Sequence, residues 1–306
     1  ILIPGGKDYP ALIGDDNLPF ENAGVLKTTG FELQAKWSDK LSNGFAYSVG
    51  VALSDDKAEV LSYPSNPTNK IGDGVLYKGY TVGDIWGYET GGILQESDFD
   101  GVGPNGKPLY HGAYFKGGQP YPGYVWYQDL DHDGVITSGL STVDDPGDKK
   151  VIGNNAPRYR YNITANFQYK GFDLDLMFQG VGKRDYWLKD VSSYWGGGAG
   201  SWETYNQSWT PERTDAKFPM YGSGIGSYAQ SGYLLDASYI KLKQVILGYT
   251  FPKALIGKVG LEKLRLNIAA YNLFTLSDVP KYYDSDYLSD AYPPKRTFSV
   301  GIQVGF

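Results

Sequence analysis

Alternation of apolar and polar residues over nine or more positions, repeated along the chain, constrains this sequence more than anything else in it. In 298–306, Phe298, Val300, Ile302, Val304 and Phe306 fall on one parity, and Ser299, Gly301, Gln303 and Gly305 on the other. A period of two belongs to a β-strand, whose successive side chains point to opposite faces. The same pattern predicts a strand over 161–170, where Tyr161, Ile163, Ala165, Phe167 and Tyr169 alternate with Asn162, Thr164, Asn166, Gln168 and Lys170. Across a tight turn at Lys170-Gly171, Phe172, Leu174, Leu176 and Phe178 alternate with Asp173, Asp175 and Gln179. Further strands are predicted over 29–38, 44–54 and 261–275. In 239–251 the apolar parity changes between Leu242 and Val245, which a bulge near Lys243-Gln244 reconciles.

These runs are longer than the roughly 5–6 residues usual in soluble sheets. They match the roughly 9–11 residues that cross a bilayer at a tilt. Their polar faces carry Asp, Asn, Gln, Lys and Arg, which a water-filled or plugged lumen solvates and a sandwich core does not. Aromatics at strand ends (Tyr161, Tyr169, Phe172, Phe178, Tyr249, Phe251, Phe298, Phe306) suit interfacial girdles. The soluble alternative is a β-sandwich with one wet face. Composition agrees with the barrel: 41 Gly, 27 Tyr and 15% aromatics in 306 residues. No apolar run approaches the ~18–20 residues of a spanning helix. A net charge of −6 lacks the basic footprint of nucleic-acid partners. There is no Cys, hence no disulfide framework or thiolate metal site. His111 and His132 are too few and too far apart in sequence to suggest a His-based metal or triad site. The chain begins ILIPGGKDYP, with no signal sequence, and is read as a fragment or processed product.

Connections sort into short ones (Asp39–Asn43, Lys170-Gly171, Pro252–Gly260) and long ones (56–157, 184–235, 277–295). Barrels alternate short periplasmic turns with long extracellular loops. If the last strand descends to the periplasm, every short turn falls inside and every long loop outside. The parity closes when 56–157 holds zero or two further strands. Loops this long suit a wide barrel, of which these strands are an arc.

The pieces TTGFELQAKW, VGDIWGYETGGIL, WYQDLDHDGVIT, DKKVIGNNAPRYRYNITANFQYKGFDLDLMFQGV, ASYIKLKQVILGYTFPKAL, LRLNIAAYNLFTLS and YPPKRTFSVGIQVGF stand in that order. In order and spacing the chain resembles the C-terminal part of SusC/RagA-like TonB-dependent outer-membrane transporters. The resemblance implies an all-β fold: a transmembrane antiparallel up-and-down barrel of 22 strands, with 1–306 as its C-terminal portion and the N-terminal plug domain absent from this chain. It implies a SusD-like lipoprotein over the extracellular mouth, energy from the TonB–ExbB–ExbD complex, and import of oligomeric glycans or peptides. It also implies that the terminal Phe306 serves as a signal for the barrel-assembly machinery.

Asp129-Leu130-Asp131-His132-Asp133-Gly134 is the candidate ion site. Carboxylates at positions 1, 3 and 5, a turn-making Gly and the Val135 carbonyl at position 7 are what a calcium loop requires. Thr137 stands at position 9, and position 12 is Leu140 where the standard loop has a bidentate Glu. The resemblance implies an acid shortly afterwards, among Asp144, Asp145 and Asp148, giving a metal set of Asp129, Asp131, Asp133, Val135 and Asp148. The alternative is an Asp/Gly-rich turn with no metal.

The 184–235 loop concentrates Tyr186, Trp187, Tyr194, Trp195, Trp202, Tyr205 and Trp209. Such rings stack on sugars, anchor a partner protein, or form the core that a long loop needs to stay ordered. Asp55-Asp56 and Asp144-Asp145 are paired carboxylates in sequence only, and there is no nucleophile elbow, P-loop or dinucleotide fingerprint. No enzyme is predicted. The expectation is TonB-dependent nutrient import in the outer membrane of a Gram-negative bacterium. The rival is a surface-binding or structural barrel that never opens a pore.

Overall fold

The computed structural model describes residues 2–4, 20–22, 24–187, 205–221, 223, 228–279, 283–288 and 294–306. Among these residues seven long strands form one sheet: β1 Val25–Lys40, β2 Ala46–Ser62, β3 Arg158–Tyr169, β4 Phe172–Lys183, β5 Tyr239–Thr250, β6 Lys263–Leu276 and β7 Thr297–Gly305. Each strand lies beside its predecessor in the chain, an up-and-down meander from β7 to β1. The first hairpin reaches further than the predicted 29–38 and 44–54, ending at Ser62.

Register explains why the alternation is so regular. Across the sheet, Phe167, Leu174, Leu247, Ile268 and Val300 stand side by side in one row. The adjacent row, on the opposite face, runs Asn166, Asp175, Ile246, Ala269 and Ser299. Aligned parity in every strand gives one apolar and one largely polar face, which a one-residue slip would destroy. The predicted bulge is present: pairing breaks between Leu242 and Gln244, so Phe178 still meets Leu242 while Leu176 meets Val245. Asn272, with φ of 54°, absorbs the same irregularity in β6.

Turn chemistry sets the short end. Lys170 and Gly171 both have positive φ (47° and 87°), the geometry of a two-residue type I′ hairpin. Between β1 and β2 the Leu41 N–H donates to the Phe45 carbonyl (2.8 Å) and the Asn43 side chain caps the Phe45 N–H (3.0 Å). After β5 a short helix, Lys253–Ile256, ends through Gly260 in the left-handed region.

The chain divides into two compact units. Thr29–Lys57, Pro157–Asp185 and Asp236–Phe306 make the sheet unit; Ile1–Thr28, Ala58–Ala156 and Tyr186–Leu235 make the other. Residues 63–157 add no strand to the seven-stranded sheet, settling the alternative of zero or two. Their short strands pair with one another instead: Asp84–Tyr88 with Lys149–Asn154, Thr90–Ile93 with Val125–Tyr127, and Phe99–Val102 with Pro108–Tyr110.

The second unit has a core of its own. Val60, Ile71, Tyr77 and Tyr80 form one buried cluster against Tyr63, Leu76 and Trp86. Tyr88, Phe115, Tyr127 and Tyr228 form another, with ring centroids 5.0–5.8 Å apart. Burial pushes the Tyr88 and Tyr114 hydroxyls up to about 12, because the phenolate would lose its hydration. The wholly buried Gln230 ties 228–236 to this cluster: its Nε2 donates to Tyr127 Oη (3.1 Å) and its Oε1 accepts from Thr90 Oγ1 (3.2 Å).

Candidate functional site

The sheet's two faces carry different chemistry. On one, large apolar side chains stand exposed: Leu266 at 39%, Ile268 at 57%, Ile302 at 66% and Val300 at 77%. A contiguous apolar surface of this kind marks contact with lipid or another protein. Phe45 stacks with Tyr47 and Phe167, and Tyr249 packs with Phe172 and Phe251, which gathers aromatics at the short-turn end.

The other face is polar and internally bonded. Arg265 of β6 donates through Nε to Asp173 Oδ1 of β4 (3.1 Å), reaching across the intervening β5 at Gly248. Asn166 donates to Asp175 and Gln168 Nε2 donates to Asn166 Oδ1 (3.2 Å). With Lys40, Lys170 and Thr250 these residues line a hollow of about 530 Å³ at the short-turn end. A larger hollow, about 680 Å³, opens toward the long-loop end and is lined by Glu32, Gln34, Arg160, Asn162, Gln179 and Tyr239 among others. The predicted polar set (Asn162, Asn166, Gln168, Asp173, Asp175, Arg265) and apolar set (Ile163, Phe167, Leu174, Leu176, Leu266, Ile268) thus fall on opposite faces.

In the second unit, the acidic loop is folded by its own carboxylates. Asp129 accepts from the His132 and Gly134 amides (2.7 and 2.9 Å), and Asp133 accepts from Val135 (2.8 Å). His132 and Gly134 take positive φ (62° and 86°), the conformation such a tight loop demands. The fully buried Asp148 accepts from Leu130 N–H (2.8 Å) and Thr137 N–H (2.7 Å), clasping both ends of the loop. Carboxylate oxygens of Asp129, Asp131 and Asp148 lie within 4.8 Å of one another. Asp133 lies outside that trio. Of the acids considered for the last position, Asp148 joins the trio, while Asp145 turns away to accept from Leu140 N–H (3.2 Å). Desolvation works against the charge on Asp129, yet the amide bonds from Gly134 and His132 hold its carboxyl below the ordinary range. Asp131 gains a bond from the Asp133 amide, but desolvation and the Asp148 and Asp133 charges hold it above. Clustered oxygens of this kind are the donor set a hard cation takes.

Among the aromatic loop residues, Trp209 is 3% exposed and donates through Nε1 to Gln95 Oε1 (2.9 Å). Its ring belongs to the unit's core. Trp187 is half-buried at the end of the strand Asp185–Trp187. Tyr194, Trp195 and Trp202 lie outside the described residues.

Pattern reading missed one cluster. Lys241 and Lys243 of β5 bind Asp284 and Asp286 from the β6–β7 connection. The parity break at Lys243 was its only signal in sequence, since the acids lie some forty residues away.

No family model matches the chain. TonB-dependent receptor P3 of Formosa agariphila is 27% identical over 314 residues, an alignment covering 94% of this chain and 29% of that receptor. TonB-dependent receptor SusC of Bacteroides thetaiotaomicron is 26% identical over 198 residues, covering 60% of this chain and 19% of SusC. This chain is similar to the SusC-like TonB-dependent receptors. A solved structure of the RagAB peptide transporter superposes on 97% of this chain with a TM-score of 0.71 at 19% identity, which establishes the shared barrel fold. The chain spans about a third of the length of that transporter chain (31%) and of P3 (29%). None of these relatives is named as an enzyme.

Proposed function

We propose that residues 1–306 form the C-terminal part of the wall of an outer-membrane, TonB-dependent importer of oligomeric nutrients. The observation that carries this reading is the division of one sheet into an exposed apolar face and a hydrogen-bonded polar face, on a chain whose relatives are TonB-dependent receptors. Exposed Leu, Ile, Val and Phe on one side suit hydrocarbon, and the Asn, Asp, Gln and Arg side chains opposite suit an aqueous or plugged lumen. In this reading the long connections face outward, the short turns face the periplasm, and the barrel is completed by strands outside this chain.

The same reading gives the whole protein its partners. A SusD-like lipoprotein covers the extracellular mouth, the TonB–ExbB–ExbD complex acts through N-terminal sequence, and the cargo is a glycan or peptide. The Asp129–Val135 loop holds a structural Ca²⁺ through Asp129, Asp131 and Asp148 with the Val135 carbonyl, and Asp133 shapes the loop. Trp187 and the aromatic stretch beyond it offer contacts to partner or cargo.

The test uses the full-length receptor in a strain carrying or lacking its neighbouring lipoprotein and a functional TonB. Uptake of oligomers that needs both supports import. Barrel assembly with surface binding but no TonB-dependent uptake would instead identify a structural or adhesive barrel.

A further inference from the structure

Asp284 and Asp286 stand in the connection between β6 and β7, yet their carboxylates turn back onto β5. Lys241 Nζ donates to Asp284 (3.0 and 3.1 Å) and to Asp286 (2.8 Å), and Lys243 Nζ donates to Asp286 (3.3 Å). The Tyr239 hydroxyl donates to the other Asp286 oxygen, and Arg184 Nη1 donates to the Asp286 carbonyl (3.2 Å). Lys241 lies in the row of Asn162 and Gln179, so the segment is drawn onto the polar face. It is well seated there: Tyr283, Ser285 and Leu288 are 8% exposed or less.

The segment also divides that face. Asp286 borders the hollow of about 680 Å³ beside Arg160, Arg184 and Tyr239. Asp284 and Ser285 border a second hollow of about 330 Å³ beside Lys241 and Arg296. Two carboxylates therefore sit among the cationic side chains of Lys241, Lys243, Arg160, Arg184 and Arg296, on the wall between the two hollows. Lys241 is 3% exposed, and a buried ammonium without an anion is costly. Whatever displaces Asp284 and Asp286 must bring a negative group of its own.

We propose that Tyr283–Leu288 is an internal ligand: Asp284 and Asp286 occupy a carboxylate site built by Lys241, Lys243 and Tyr239, and a carboxylate-bearing cargo takes their place. The proposal rests on the import reading for its physiological meaning. Paired oxygens on an ammonium and a phenol are the groups that a peptide terminus, an acidic side chain or a uronic acid presents alike. A neutral oligomer cannot replace them. Occupied by the chain itself, the site weakens apparent affinity by the fraction of molecules in which the segment is docked.

The experiment uses the full-length receptor and four probes: N-acetylated triaspartate, its N-acetylated triasparagine amide, trigalacturonate and neutral trigalactose. In the Asp284→Asn/Asp286→Asn variant, at least one acidic probe is expected to bind about tenfold more tightly than to wild type, with the neutral probes unchanged. Lys241→Gln added to that variant should remove the gain. Response to triaspartate alone assigns a peptide source, and response to trigalacturonate alone a glycan. Unchanged affinity for both acidic probes, or an equal gain for the neutral ones, overturns the proposal. Hydrogen exchange on wild type needs no variant to fold: acidic probes should raise exchange at the Asp286 and Leu288 amides, both now bonded to Asp284 (2.9 Å each). No rise also overturns it. Loss of TonB-dependent uptake with probe exchange intact would sink the import reading and leave the site standing.

Discussion

Arg265 and Asp173 are joined across a strand that belongs to neither. Arg265 lies on β6, Asp173 on β4, and the bridge passes over Gly248 of β5, where an added Cβ would come within 2.5 Å of Asp173 Oδ2. Both side chains are about four-fifths buried (21% and 18% exposed). Gly248→Val should therefore break the bridge without touching either charged residue. The expected loss is about 1.5–3 kcal/mol, that of a hydrogen bond to a charged group. Urea titration of the full-length receptor refolded in vesicles measures it, and the Asp173→Asn/Gly248→Val double variant should lose little more than Gly248→Val alone. Full additivity would show that the valine acts elsewhere.

Leu266 gauges the apolar face. It shares its row with Tyr249 and Ile302, in the middle of exposed apolar side chains. Leu266→Lys should cost about 2–4 kcal/mol if that row meets the bilayer midplane. Asn267→Lys, one residue along and on the polar face, should be tolerated. Folding yield into lipid vesicles, read by heat-modifiable migration, compares the two. Equal yields would place lipid on neither face.

The strand faces were legible in sequence because pairing in register preserves parity, so a local pattern fixes a distant neighbour. The bulge at Lys243 was legible for the same reason, as a break in that parity. The Lys241–Asp284 pair was not, since no period connects a strand to a loop that folds back on it. The acidic loop was readable as a turn, but only folding reveals that Asp148 clasps both its ends while Asp133 caps Val135 and stays outside the carboxylate trio. Trp209 packs into the second unit, one of the three roles open to the loop's aromatics, because composition cannot tell a ring that stacks on a ligand from one that stacks on its own chain.

Phe306 separates assembly from stability. It is 88% exposed and follows the last paired residue, Gly305. Within this chain its removal takes away almost no packing, so the refolded receptor should unfold at nearly the same urea concentration. In cells, deletion should lower the amount of folded receptor in the outer membrane several-fold while uptake per folded molecule stays constant. An equal fall in intrinsic stability would refute recognition of Phe306 as the cause.

If the acidic loop 129–137 holds Ca²⁺ as proposed, Asp131 and Asp148 should give different phenotypes. Asp131 accepts from the Asp133 amide (3.2 Å) and lies against the Asp129 carboxyl, contacts that an asparagine can keep, so Asp131→Asn should weaken Ca²⁺ binding and leave the metal-free loop folded. Asp148→Ala should loosen 130–137 with or without Ca²⁺, because two amides lose their acceptor. Calorimetric titration with Ca²⁺ and hydrogen exchange after chelation read the two effects separately. Wild type that binds no Ca²⁺, while exchanging identically before and after chelation, would reduce the loop to a carboxylate-stapled turn.

Gln230 holds two distant stretches of the second unit together. It is wholly buried, and its amide spans Tyr127 and Thr90, over a hundred residues away in sequence. Gln230→Leu keeps the volume but removes a donor to Tyr127 and an acceptor for Thr90, at a cost of about 1–3 kcal/mol. The seven-stranded sheet has its own hydrogen bonds, so the damage should stay local. Hydrogen exchange should quicken in 88–94 and 228–236 and remain unchanged in β3–β6. Tyr127→Phe in the same background should add little, because the donor to its hydroxyl has already gone. Uniform quickening across the sheet would mean that the second unit and the barrel strands unfold together.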